Sequence, residues 1–301
     1  MEEINAVTAR RAKSLDNVPK SRRHSQTLIL GYDLERVIRK TLQGSVMLMK
    51  QSRTGRQVAV KVAHKRYVDS GLASNGVRIS TPCANIIQLL DYREDPDKFV
   101  LVMELAQGGE LFDWVKAHGK VSDAKARAMF RGITRAVSFL HKRNVCHLDL
   151  SLENVLLTTD STPKLCDFGL ARVFVPGVKF RGNVHARPGK LSYMSPEVYS
   201  GADFDGSAAD VWSLGIVLFI IVFGFPPFEV ASRSDVRYDF MLKRGLGSLL
   251  QEWDLRKEIS DDCLDLICKI LQPESQRLTL TQVLQHPWMT SSKVLDAVEE
   301  V

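Results

Sequence analysis

Cysteine is sparse and scattered. Cys83, Cys146, Cys166, Cys263 and Cys268 show no metal-ligand spacing, which argues against a zinc-ribbon or disulfide-stapled design and points to free thiols in a reducing compartment. No apolar run is long. The longest, Val211 to Phe225, is interrupted by Ser213, Gly215 and Gly224 and stops at Pro226-Pro227. That is short of the ~20 residues a membrane span needs, so a buried helix is expected there. The opening Met1-Glu2-Glu3-Ile4-Asn5 has no apolar core of the kind a signal peptide carries. Two further absences are local. From Val62 to Ala84 the only acid is Asp69, and from Leu170 to Pro188 there is no Ser, Thr or Tyr.

What is present fits a folded protein. A chain of 301 residues is long enough for one large domain or two lobes sharing a cleft. Its 45% hydrophobic and 25% charged content are ordinary for a soluble globular protein. The net charge of +6 is unevenly placed, with Arg10, Arg11, Lys13, Lys20, Arg22 and Arg23 crowding a segment poor in apolar residues. This reads as a disordered basic arm. No aromatic residues interleave with its charges, so a solvated tail is expected rather than a nucleic-acid-binding one.

The chemistry gathers in one stretch. His147-Leu148-Asp149 is followed five residues on by Asn154, and Asp167-Phe168-Gly169 begins thirteen residues after Asn154. A base for a hydroxyl proton, a neutral oxygen ligand and a carboxylate ligand for Mg²⁺ arrive in the order phosphoryl transfer from ATP requires. The flanking runs Asn154 to Leu157 and Pro163 to Cys166 read as short strands holding a loop. Val58 to Val62 and Phe99 to Met103 are strand-like too, bounded by turn signals at Thr54-Gly55 and Asp95-Pro96. Ser122 is placed to cap a helix whose Met129, Ile133, Val137 and Leu140 recur at helical spacing.

With Val58-Ala59-Val60-Lys61, Gly108-Gly109-Glu110-Leu111-Phe112, Met194-Ser195-Pro196-Glu197, Asp210-Val211-Trp212-Ser213-Leu214-Gly215 and His286-Pro287-Trp288 added in order, the chain resembles a eukaryotic protein kinase domain. It is most similar to the calmodulin-kinase-like group of serine/threonine kinases. The resemblance implies an α+β, bilobal fold, with a small β-rich N-lobe over 33–104, a large helical C-lobe over 105–288 and ATP between them. A basic arm over 1–32 and a short tail over 289–301 flank it. The tail lacks the basic amphipathic helix of a calmodulin-binding segment.

The resemblance also implies roles. Lys61 reaches the α- and β-phosphates, Asp149 orients the acceptor hydroxyl and takes its proton, and Asn154 and Asp167 ligate Mg²⁺. Val46, Ala59, Met103 and Leu156 sandwich adenine, while backbone groups of Glu104 and Ala106 meet its polar edge. Glu197 and Arg277 match a buried structural ion pair. Glu110 and Glu153 match acidic positions that pair with arginines upstream of the acceptor serine or threonine, which implies basic protein substrates. An intracellular setting is expected, cytoplasmic with a nuclear one kept open.

Several positions depart from that pattern. In place of G-x-G-x-x-G the matching positions are Arg39, Thr41 and Gly44, so side chains of Arg39 and Thr41 are expected to replace lost backbone approach to the phosphates. The glutamate that pairs with the strand lysine is missing from Val62 to Ala84. Ser151 stands where the family has a lysine, and Lys190 where it has a threonine, so the cation and the hydroxyl are expected to have changed places. Leu148 replaces an arginine that clamps phosphate in many relatives. With no acceptor from Leu170 to Pro188, activity independent of phosphorylation on that loop is expected. Arg22-Arg23-His24-Ser25 and Arg11-Ala12-Lys13-Ser14 fit the substrate pattern themselves. The alternative kept open is a pseudokinase that works as a scaffold.

Overall fold

A computed structural model of the chain describes residues 28–29, 31–41, 44–65, 82–94, 96–119 and 121–291. Most of the expected basic arm, residues 66–81 of the interval lacking a glutamate, and residues 292–301 of the tail lie outside them. The chain divides into two compact units, Met1–Asp69 with Leu89–Leu105, and Ser70–Gln88 with Ala106–Val301.

The first is a β unit. Strands β1 (Leu28–Ile29), β2 (Tyr32–Thr41), β3 (Gly44–Gln51), β4 (Gln57–His64), β5 (Leu89–Glu94) and β6 (Lys98–Glu104) form one antiparallel sheet in the order β1-β2-β3-β4-β6-β5. Alternation builds it. Val58, Val60 and Val102 turn to one face and pack with Met49 and Tyr32, each almost wholly buried. The β3–β4 hairpin turns through Thr54-Gly55, where Gly55 has φ +73°.

The second is a helical unit. Ser122 caps the helix Asp123–His141, its side chain accepting from the Lys125 amide, and Met129, Ile133, Val137 and Leu140 face the core. The apolar run becomes the helix Gly206–Phe223, capped by Asp205, whose side chain accepts from the amides of Ser207 and Ala208. This helix has the length and apolarity of a membrane span, yet it is buried almost throughout inside the unit. Asp261–Ile270, Leu280–Gln285 and Pro287–Thr290 complete the same core. Two short antiparallel pairs sit on these helices: β7 (Val145–Cys146) with β10 (Arg172–Val173), and β8 (Val155–Leu157) with β9 (Pro163–Leu165). Ile86 bridges to Leu165 in β9, and the Asn85 side chain donates to the Pro163 carbonyl at 2.9 Å. All five cysteines are free thiols. Burial pushes Cys146 and Cys263 far up and Cys268 to about 11, so these three are poor nucleophiles at neutral pH.

Candidate active site

In the helical unit the loop after β7 is held by a buried carboxylate. Leu148 has φ +61°, a conformation a branched side chain rarely adopts. Asp210, only 1% exposed, accepts from the amides of His147 and Leu148 at 2.8 Å each, and His141 Nε2 donates to it at 2.9 Å. Those bonds offset a strain of about 1–3 kcal/mol. His147 then ties two segments together. Its Nε2 donates to the Cys166 carbonyl at 3.1 Å, its Nδ1 accepts from the Asp149 amide at 3.2 Å, and its ring lies 5.2 Å from that of Phe168.

Asp149 emerges from this loop half-buried. Asn154 Nδ2 donates to its carbonyl at 2.7 Å and to its Oδ2 at 2.8 Å. Burial raises the Asp149 carboxyl above its ordinary value; Asn154, His147 and Lys190 oppose the shift, and the charge of Asp167 adds to it. Asn154 and Asp167 lie at the same end of the β8–β9 pair: Val155 is opposite Leu165, and the Cys166 amide donates to the Asn154 carbonyl at 2.9 Å. Asp167 is exposed with φ +57°, and its Oδ1 accepts from the Gly169 amide at 3.3 Å.

Lys190 reaches the same loop from a distant part of the chain. Its Nζ donates to Ser151 Oγ at 2.9 Å and pairs with Glu153 Oε1 at 2.9 Å. Gly189 makes this approach possible, because a Cβ there would lie 2.8 Å from the Leu148 carbonyl oxygen. Burial pushes the Glu153 carboxyl up, but Lys190 and local hydrogen bonds outweigh it and hold the group low. Further along, Ser213 Oγ donates to the Tyr193 carbonyl at 2.8 Å, and Arg277 grips Glu197 with two bonds of 2.7 and 3.0 Å while also donating to the Ala208 carbonyl. Glu110 pairs with Leu156 as an isolated antiparallel bridge, which sets the side chain of Leu156 by backbone register.

In the β unit, register sorts the candidate residues. Val46 is opposite Lys61, Leu48 opposite Ala59, Ala59 opposite Met103 and Lys61 opposite Leu101. By alternation Val46, Ala59, Lys61 and Met103 therefore share the face turned away from Val58, Val60 and Val102. Glu104 ends β6, and Ala106 follows in the first residues of the other unit. Gly44 has its own packing reason, since a Cβ there would sit 1.9 Å from the Val62 carbonyl oxygen. Arg39 and Thr41 lie in β2, opposite Val46 and Gly44.

A protein kinase domain model matches residues 32–289. The chain belongs to the protein kinase family. It is 33% identical to the human SNF-related serine/threonine-protein kinase over 267 residues, 86% of this chain and 33% of that protein. To the mouse serine/threonine-protein kinase SIK1 it is 32% identical over 272 residues, 88% of this chain and 33% of that protein. The chain spans about a third of the length of these curated relatives. Kinases of this family use Mg²⁺–ATP, and the donor set can be tested against that. Among the described residues no cluster of three or more His, Cys, Asp or Glu side chains forms a metal cage. Mg²⁺ needs none, because it takes one or two carboxylates and fills the rest of its shell with water and phosphate oxygens. Asp167 and the amide oxygen of Asn154 fit such a site.

Reading by residue type missed Asp210 as the buried carboxylate that holds the His147-Leu148 loop. Its signal was available, as one carboxylate at the head of an otherwise apolar helix. It also took Glu153 as a substrate contact or an ordinary surface acid, whereas the side chain pairs with Lys190.

Proposed function

We propose that this domain transfers the γ-phosphoryl group of Mg²⁺–ATP to serine or threonine hydroxyls of proteins. What carries the reading is the gathering of Asp149, Asn154, Asp167 and Lys190 about one loop end, each placed by backbone or buried hydrogen bonds. Lys61 and Gly44 serve the phosphates. Val46, Ala59, Met103 and Leu156 serve the adenine faces, and the backbone at Glu104 and Ala106 its edge. Asn154 and Asp167 hold the metal, which neutralises phosphate charge when bound. Asp149 orients the acceptor hydroxyl and takes its proton. Lys190 supplies the cation that Ser151 does not.

Substrates carry arginines before the acceptor, taken by Glu110 and Glu153. An arginine fork binds a carboxylate bidentately, so it competes with Lys190 for Glu153 and frees that ammonium for the phosphates. Turnover is independent of phosphorylation between Leu170 and Pro188. An ATP-supplied intracellular setting accompanies this reading. The second reading, a scaffold without catalysis, is favoured by Arg39 and Thr41 in place of glycines and by the lack of any acid but Asp69 from Val62 to Ala84.

Turnover on an arginine-rich peptide, with Asp149→Ala as control, separates the two, and a rate equal to the control's sinks catalysis. Lys190→Thr is expected to lower kcat roughly 100-fold, the scale of one charge-stabilising donor. Adding Ser151→Lys should restore about tenfold of that loss; two losses that simply multiply would refute the exchange.

A further inference from the structure

Of the twelve large hydrophobic residues the described chain exposes, six fall in one stretch: Leu170, Val173, Val175, Val178, Val184 and Leu191. The stretch is strongly basic as well. It carries Arg172, Lys179, Arg181, Arg187 and Lys190, and no Asp or Glu occurs from Phe168 through Pro196. Two of the cations are used internally, Lys179 by Glu274 and Lys190 by Glu153. Arg172, Arg181 and Arg187 have no ion-pair partner among the described residues. The guanidinium of Arg187 lies 4.5 Å from the Tyr199 ring centroid, and its Nε is buried without a hydrogen bond.

The stretch is not a loop awaiting internal packing. Arg172 and Val173 pair with β7, Phe180 bridges to Phe204, the Gly182 amide donates to Asp203 at 2.9 Å, and Gly189 abuts the Leu148 carbonyl. Its backbone is thus fixed at four points while its valines stay in water. Exposed apolar side chains set beside the exposed cations Arg172 and Arg181 match an occupant with the opposite charge and its own aliphatic groups. The stretch also ends beside the base, since a Cβ on Gly189 would lie 3.6 Å from Asp149 Oδ1.

We infer that Leu170 to Leu191 is a docking surface for an acidic, aliphatic segment of the substrate protein, on the side of the acceptor away from its arginines. This deepens the proposed function and rests on it for the word substrate. Like charges exclude the substrate's arginines from this stretch, and its ending at Asp149 is what an acceptor-bearing chain needs. An anionic membrane would match the charge but delivers no hydroxyl to that base.

The test uses two labelled peptides with the same arginines and acceptor serine, one followed by alternating Glu and Val or Leu, the other by Gly and Ser. Binding is read by fluorescence anisotropy on the full chain, so it needs no turnover. The acidic aliphatic tail is expected to bind about tenfold tighter, an advantage that shrinks with salt. Arg181→Glu, at an exposed position where folding is not at stake, should remove most of that advantage and leave the Gly/Ser peptide unchanged; Arg172→Glu, also at an exposed position, should do the same. Equal binding of the two tails, or an advantage that survives both variants, overturns the inference. So does retention on anionic vesicles that Arg181→Glu abolishes while the tails bind equally. Loss of turnover on both peptides would instead sink the catalytic reading and leave the binding comparison standing.

Discussion

In the β unit, Val46, Ala59, Lys61 and Met103 owe their common face to strand register, set by the burial of Val58, Val60 and Val102 on the other side. In the helical unit, Asp149 and Asn154 owe their places to polar bonds: Asp210 on two loop amides, His147 on the Cys166 carbonyl, Asn154 on Asp149 itself. Position by register is robust to any single side chain on the open face but fails as a whole if the strand slips by one residue. Position by a buried carboxylate is local and costly to disturb, because each amide left behind is a desolvated donor without a partner. The two units therefore have opposite weak points, and substitutions can expose them.

The largest effect belongs to Asp210→Ala. It removes the acceptor for two buried amides and for His141, and it releases the left-handed Leu148. A loss of about 3–5 kcal/mol is expected in chemical denaturation, with phosphoryl transfer lost as well. Asp210→Asn, which keeps one acceptor oxygen, should fall between the variant and the parent. If Asp210→Ala proves as stable as the parent, the loop is held by something other than this carboxylate.

Much of this was legible in the residues before any coordinates. The order of Lys61, Asp149, Asn154 and Asp167 announced the family, the alternation around Val58 and Val60 announced a strand, and Ser122 announced a helix start. Other features could not be read. The exchange of Lys190 and Ser151 could be suspected from sequence, but the claim of Lys190 on Glu153 needs the three-dimensional approach that Gly189 permits. Gly44 reads as a relic of a phosphate loop, whereas β3 passes so close to Val62 that a side chain has no room. Leu148 reads as the replacement of a phosphate-clamping arginine, and its positive φ is visible only once Asp210 is seen to hold it. Such facts depend on contacts between residues far apart in sequence, which periodicity does not encode.

A smaller effect tests the β unit by its two faces. Val60→Ala, on the closed face and wholly buried, should cost on the order of 2 kcal/mol of stability and leave nucleotide affinity nearly unchanged. Ala59→Leu, one residue along and on the open face, should cost less than about 1 kcal/mol but weaken ATP binding roughly tenfold. Melting curves and nucleotide titrations on the same two variants decide it. Should both variants act through stability, the open face is ordinary core rather than a nucleotide contact.

The smallest effect is electrostatic and sets two carboxylates of the helical unit against each other. Asp123 accepts from Trp288 Nε1 at 2.9 Å and Ser260 Oγ at 2.7 Å and pairs with Arg127. Burial pushes its carboxyl up, but these partners outweigh burial and hold it below its ordinary 3.8. A lowered carboxylate contributes stability that is present above the unfolded value and lost as pH falls through the folded one. Asp149 runs the other way. Burial raises it, so the stability it confers is present below 3.8 and lost as pH rises through its folded value. Stability measured against pH should therefore show Asp123→Asn flattening the acid limb, by at most about 1.4 kcal/mol per pH unit for one proton. Asp149→Asn should make the domain more stable at neutral pH while abolishing turnover. A base that is ionised at a cost to the fold is the expected signature of a site built for proton transfer, whereas Asp123 is ionised to the fold's benefit. If Asp149→Asn instead destabilises the domain at neutral pH, the carboxylate is a structural anchor like Asp123, and its assignment as the base fails.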